Sequence, residues 1–372
     1  MPPEIFSMSD VTVIREQFSH MGGHSGYDLL CPALEESGVS VCSVWRQTSL
    51  PSSSFMRGIV DYAWAKLPNK SSFYRQLNLW TELCALKKTV LSSGSVHILY
   101  GENNLGLFAL PLIKGTSKLV VTAHQPFSWW LEQGLDVKRK FACVDALIVL
   151  SRSEKEHFEN LLGKKKVYYV PHGVDTEFFC PDVKGAAELK RNRPVKRYLF
   201  VGQWLRSFET LFSVIEMSAD KKSNVEFDLV VPDLSFRDSK LEEGIRRVSG
   251  LPQVTRHQCL DDRSLRELYR KATLLLMPLE ESTANNAILE AMASGLPIVT
   301  SATNGIMDYV DRSFARICPL GDASAMNDAL DQMSSDDGLL KKMSMSARKK
   351  AVEKFAWRTV ADSVLNVYRS LI

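Results

Sequence analysis

The sequence predicts an α/β protein made of two doubly wound, Rossmann-like domains that face each other across a cleft. Three observations carry the prediction. A chain of 372 residues is long for one core and comfortable for two. Strand-sized apolar runs alternate with helix-length amphipathic segments, which is the signature of βαβ units and a parallel sheet. That alternation breaks once, between residues 180 and 197, and then restarts.

The elements follow in order. "VTVI" (11–14) is a strand, and the glycine-containing loop "HMGGHSGYD" leads from it to a helix-like "YDLLCPALEESG". "VHILY" (96–100), "KLVVTAH" (118–124), "DALIVLS" (145–151) and "KVYYVPHG" (166–173) continue the first sheet, each separated from the next by helix-length sequence. "CPDVKGAAELKRNRPVKR" is polar, holds two prolines and reads as a linker. The second sheet then begins with "RYLFVGQW" and continues through "VEFDLVVP", "LPQVTRH", "TLLLMPL" and "GLPIVTS". The last segment, "WRTVADSVLNVYRSLI", is an amphipathic helix expected to pack back towards the first domain. The division is therefore 1–180, a linker at 181–196, a second domain at 197–355 and the closing helix at 356–372.

Composition removes several classes of function. The net charge of +3 and the absence of a concentrated basic stripe argue against nucleic acid as a partner. Seven cysteines are scattered with no C-x-x-C pair, so neither a disulfide framework nor a cysteine-ligated metal is expected. The start of the chain lacks the basic and apolar regions of a signal peptide, and no apolar run is long enough to span a bilayer. The expected setting is the reducing cytoplasm. Peripheral membrane contact is left open, although no strongly basic amphipathic helix stands out in the sequence.

Ligands of open α/β sheets bind beyond the C-terminal ends of the strands, so the residues that matter follow the strands. After the first strand, Gly22 and Gly23 allow close backbone approach to a ligand, or simply form a tight turn; the spacing is not a dinucleotide fingerprint. After "KLVVTA" comes "HQPFSWW". His124 there suits hydrogen bonding or proton transfer, and Trp129 and Trp130 suit a platform for an acceptor sugar. The alternative is a structural histidine beside a core aromatic pair. After "RYLFV", Arg206 precedes a helix, where a guanidinium makes a bidentate phosphate site.

The densest stretch is "MPLEESTANNAILEAMASGLPIVTS", residues 277–301. Glu280 and Glu281 stand before a helix, where acids complement the positive helix end and are often no more than capping residues. Ser282 or Thr283 is the expected cap. Asn285 and Asn286 add donors and acceptors, and Glu290 lies further along the helix. Unpaired amides at a helix mouth attract anions, and carboxylates accept hydrogen bonds from sugar hydroxyls. A helix mouth, an arginine and two carboxylates together describe a nucleotide-sugar site.

With these residues in place the chain resembles the retaining, GT-B fold glycosyltransferases of the group one, or family four, type. "VPHGVDTEFF" is similar to the family's signature at the end of the first domain, and "LEAMASGLPIVTS" to the segment after its two-glutamate motif. "NGIMDYV", with Asp308 for the usual glutamate, and "PLGDASAMNDAL" follow as in the family. The resemblance implies that Glu290 binds the donor ribose and that Glu281, with the amides of Thr283 to Asn286, holds the donor sugar. It implies that Arg206 neutralises the diphosphate and that His124 lies near the anomeric carbon. Gly22 and Gly23 would approach the diphosphate or the acceptor. Two departures stand out. Ser282 occupies the place of the family's first glutamate, with Glu281 one position earlier, and Gln203 and Ser207 fall near an arginine and a lysine usual in the family.

No D-x-D triplet occurs, which fits a metal-independent mechanism with no cofactor beyond the nucleoside-diphosphate-sugar substrate. The activity implied is transfer of a hexose-like sugar to an acceptor hydroxyl, with retention of anomeric configuration. The competing readings are a nucleotide-sugar epimerase on the same fold and a sugar-nucleotide or partner-binding protein without turnover.

Overall fold

The apolar run Val11–Arg15 forms β1, and the five runs after it complete a first sheet: β2 (Val41–Trp45), β3 (Ser95–Ile98), β4 (Leu119–Ala123), β5 (Ala146–Val149) and β6 (Val167–Tyr169). The structure, a computed structural model, describes residues 11–18, 21–89, 94–114, 117–182, 195–220, 224–233 and 238–371. Among them, 11–18, 26–172 and 357–371 make one compact unit, and 21–25 with 173–356 make the other. The linker expected at 181–196 lies, from 183 to 194, outside the described residues.

In the first unit all pairings are parallel, in the order β2-β1-β3-β4-β5-β6. β4 and β5 are buried along their whole length, as expected of parallel strands covered on both faces. The closing helix Trp357–Arg369 belongs to this unit and packs on the helix Leu30–Glu36. It buries Val360, Ala361, Val364, Leu365 and Tyr368, the helical spacing of one apolar face. Tyr368 also meets a buried polar group: its hydroxyl lies 2.7 Å from Nδ1 of His97, whose Nε2 lies 2.9 Å from the Thr122 hydroxyl. Burial pushes the His97 pKa down to about 3, so the ring stays neutral with both nitrogens partnered.

The second unit holds β7 (Lys196–Val201), β8 (Val225–Val230), β9 (Val254–His257), β10 (Leu274–Met277), β11 (Ile298–Ser301) and β12 (Ala315–Cys318). Its parallel order is β12-β11-β10-β7-β8-β9. Strand order reverses between β7 and β10 here, and between β1 and β3 in the first unit. At such a reversal the chains leaving two neighbouring strands turn to opposite faces, which opens a crevice at the strand ends. The residues after β7 and β10 are therefore the ones to inspect in the second unit, and those after β1 and β3 in the first.

Candidate functional site

The loop after β7 and the loop after β10 are fastened to each other. The Ser207 amide donates to the Pro278 carbonyl at 3.0 Å, the Glu280 amide donates to the Leu205 carbonyl at 3.1 Å, and Arg206 bridges to Leu279. Leu205 is held at φ 57°. For a residue with a branched side chain that conformation costs roughly 1–2 kcal/mol, and the cross-loop bonds sustain it. The result is to aim Arg206. Its guanidinium donates to the Trp204 carbonyl at 2.7 Å and to Asn285 Oδ1 at 3.4 Å. Burial lowers its pKa to about 10, opposed by Tyr269 and Glu290, so it remains a cation at neutral pH.

The helix in question is Asn286–Ala293, and its cap is Asn285, whose Oδ1 accepts the Ile288 amide at 3.2 Å. This corrects the expectation that Ser282 or Thr283 caps it. Asn offers an oxygen at the same reach as Ser, and the chain becomes helical only after it. Ser282 is buried and its hydroxyl donates to the Ala284 carbonyl at 2.9 Å, which turns the loop instead. Thr283 and Asn285 are buried beside it, while Glu281 and Asn286 are half-buried. Nδ2 of Asn285 is buried with no hydrogen-bond partner among the described residues, as is Oγ1 of Thr303 just beyond β11. An unsatisfied buried donor costs about 1–3 kcal/mol, so these atoms are suited to a polar ligand.

Glu290 projects from the second turn of that helix and is 4% exposed. It accepts hydrogen bonds from the Tyr269 hydroxyl at 2.8 Å and from the Ser25 hydroxyl at 2.6 Å. Desolvation outweighs both and pushes its pKa up to about 7. A carboxylate gripping two hydroxyls is already arranged for diol recognition.

Ser25 is there because residues 21–25, the glycine loop after β1, group with the second unit. Asp262, in the first turn of the helix Asp262–Lys271, holds this loop: its carboxylate accepts the His24 amide at 3.2 Å. Gly22 lies so close that a Cβ would fall 1.4 Å from Asp262 Oδ1. The His24 ring stacks on Phe178 with centroids 3.6 Å apart, Arg266 lies over the Phe178 ring at 4.7 Å, and His24 Nδ1 is 2.7 Å from Asp175 Oδ2. Sequence reading found the glycines but missed Ser25, Asp262 and Tyr269, because nothing local marks a residue whose partner is more than twenty positions away.

His124 and the tryptophans belong to the first unit. His124 follows β4; its amide donates to Glu102 Oε2 at 3.3 Å and its Nδ1 lies 3.4 Å from Glu102 Oε1. The imidazole stacks on Tyr100 with centroids 4.5 Å apart. Glu102 follows β3, and buried Glu16 follows β1, where it accepts from Asn103 at 2.9 Å and Asn104 at 3.1 Å and pairs with Arg46 at 3.1 Å. The strand-end rule applied to "YGENN" had enough signal to find Glu102. Trp129 and Trp130 are a different matter: they are 8% and 0% exposed and pack in the core with Phe141 and Phe158. The acceptor platform assigned to them is wrong. The helix Phe127–Glu132 turns both indoles inward, where their apolar area stabilises the unit.

Gly305 shows how little slack the second-unit loops have. A Cβ there would lie 1.9 Å from the Ser282 carbonyl oxygen and 2.8 Å from the Thr283 Cα, both of them backbone. Gly305→Ala must therefore push the 281–285 loop away. The expected result is a loss of about 1–3 kcal/mol in urea unfolding together with weaker ligand binding, as for overpacking in general.

Comparisons with known proteins converge on one family. The family model for glycosyl transferases group 1 matches residues 195–336, and that for glycosyltransferase family 4 matches residues 27–178. Among curated relatives, the D-inositol 3-phosphate glycosyltransferase of Xylanimonas cellulosilytica is 28% identical over 243 residues, which is 61% of this chain and 57% of the relative. The chain thus spans little more than half of that relative's length. Among solved structures, sucrose-phosphate synthase from Thermosynechococcus elongatus superposes with a TM-score of 0.73 at 17% identity, over 98% of this chain and 99% of that one. Anabaena HepE in complex with UDP-glucose gives 0.68 at 14% identity, over 97% and 100%. The chain belongs to the group 1 glycosyltransferases and has their two-domain α/β GT-B fold.

Proposed function

We propose that this chain transfers a sugar from a nucleoside-diphosphate sugar to an acceptor hydroxyl, without a metal and with retention of anomeric configuration. The observation that carries the proposal is the convergence of Arg206, Asn285 and Glu290 where strand order reverses between β7 and β10. Arg206 is assigned to the diphosphate, whose charge it would neutralise as the sugar departs. Glu290 is assigned to the ribose diol, taking over the hydroxyl bonds now made by Ser25 and Tyr269. Glu281, Ser282, Thr283, Asn285 and Asn286 are assigned to the sugar, and the Asp262-held backbone of Gly22 and Gly23 to the phosphates. His124, fixed by Glu102, is given a hydrogen-bonding role towards the transferred sugar. The family likeness supports retention, and a relative in complex with UDP-glucose supports the donor class.

The test is a thermal-shift screen against nucleoside diphosphates and their sugar conjugates, followed by transfer assays with and without EDTA. A tight ligand raises the melting temperature by mass action. Turnover unchanged by the chelator is expected, and turnover abolished by it would remove the metal-free mechanism. One observation favours a second reading, a sugar-nucleotide-binding protein without turnover: Ser282 stands where the family has a glutamate. Saturable binding of a nucleotide sugar with no transfer or hydrolysis would select it.

A further inference from the structure

Both oxygens of the Glu290 carboxylate are taken. The Ser25 hydroxyl donates to Oε1 at 2.6 Å, and the Tyr269 hydroxyl donates to Oε2 at 2.8 Å. The two donors are not equivalent. Tyr269 stands inside the helix Asp262–Lys271, is fully buried and packs edge-on against Phe179, so moving it means unpacking the core of the second unit. Ser25 is half-buried on the loop 21–25, whose seat on that unit is lighter. Its neighbour His24 fastens the loop through its amide on Asp262, its ring on Phe178 and its Nδ1 on Asp175. The imidazole is 41% exposed and Asp175 23%, so water screens that pair. Of the two hydroxyls on Glu290, the one from Ser25 is the one free to yield.

The bond that Ser25 makes is the bond a ribose would make. A sugar diol offers hydroxyl donors to a carboxylate, and so does a serine. A buried carboxylate stripped of a donor is left unsatisfied, and a replacement donor removes that cost. Ser25 therefore keeps Glu290 satisfied, and by the same bond it competes with any hydroxyl aimed at Oε1. A protein whose binding-competent arrangement is populated only in part binds its ligand more weakly by that fraction. We infer that Ser25 is a built-in competitor of the donor nucleotide, which binds by displacing the Ser25 hydroxyl from Glu290 Oε1. The inference rests on the donor-site reading and adds to it a residue that sets the affinity. Ser25 lies three positions beyond Gly22, so it withdraws while Asp262 keeps its hold on the start of the loop.

The test is calorimetry on the full chain with UDP, GDP and ADP and with the 2′,3′-dideoxy counterpart of each. For whichever of the three binds tightest, Ser25→Ala should raise affinity by about threefold to tenfold, the worth of a typical net hydrogen bond. The dideoxy counterpart has no hydroxyl to place on Oε1, so Ser25→Ala and the wild type should bind it equally. Ser25→Thr, which keeps a hydroxyl, should behave as the wild type, and melting temperatures check that both variants are folded. Unchanged or weaker binding of the diol-bearing nucleotide by Ser25→Ala overturns the inference and leaves the donor reading standing, because Ser25 would then be a bystander or a ligand. An equal rise for the dideoxy nucleotide also overturns it, since the loop would then obstruct the phosphates rather than the diol. If the wild type and the variants bind none of the nucleotides, the donor reading itself fails and the inference falls with it.

Discussion

Glu290→Gln should flatten the pH dependence of nucleotide-sugar affinity and weaken that affinity at alkaline pH. In the wild type the carboxyl has a pKa near 7 because desolvation in its buried site outweighs the hydroxyls of Ser25 and Tyr269. If the ribose diol is bound by the ionised form, ligand binding must expel a proton below pH 7, so affinity falls by about tenfold per pH unit on going down from there. A nucleoside-diphosphate sugar is the right probe, because its esterified phosphates do not titrate in this range. The amide carries no such proton, so the variant should bind equally at pH 6 and pH 8. Calorimetry that finds the wild type equally flat would remove Glu290 from the ribose site. The same substitution should alter stability in the opposite direction. The folded pKa lies above the usual carboxyl value of 4.5, so the folded state holds its proton where the unfolded chain has lost it. Wild-type stability therefore falls as pH rises from about 4.5 to about 7, and the deficit is complete above that window. At pH 8 the Gln variant should be more stable by about 1–3 kcal/mol in urea, since either neighbouring hydroxyl is able to turn and accept from the amide. Greater stability with poorer binding separates a functional carboxylate from a structural one.

Arg206→Ala should weaken binding of every nucleoside diphosphate by about 1.5–3 kcal/mol, the range for a hydrogen bond to a charged group. Nucleosides without phosphate should be unaffected. The pattern follows from geometry: the guanidinium leans on the Asn285 cap and is backed by the Trp204 carbonyl, so it is already oriented before the ligand arrives. Removing it also removes a cation near Glu290 whose effect is to lower that carboxyl's pKa. The midpoint of the affinity profile should consequently move to higher pH. Equal loss for nucleosides and their diphosphates would show collapse of the loop rather than loss of a phosphate ligand. Arg206→Lys, which keeps the charge but not the planar fork, should recover part of the binding.

How much was legible beforehand depends on the range of the interaction. "KLVVTA" and "DALIV" declared buried parallel strands through apolar residues alone, and both are buried along their length. Arg206 was legible as a candidate because it closely follows β7, and Glu290 because it is a carboxylate on the helix that follows β10. The cap was misplaced by two or three residues because Ser, Thr and Asn compete for that position on nearly equal terms, and tertiary contacts, among them the packing of Gly305 against Ser282 and Thr283, fix the loop. The tryptophans were misassigned because adjacent indoles after a strand look the same whether they face solvent or core; the turn of a six-residue helix settles it.

The sequence by itself determined the α/β class and the alternation of strands and helices in each half, since these rest on periodicity and composition within a few turns of chain. Only the tertiary structure decided that Ser25 and Tyr269 hold Glu290 and that Asp262 anchors the glycine loop. Those outcomes depend on which side chains are brought together from distant positions, and desolvation, which sets the Glu290 pKa, exists only once that packing is formed.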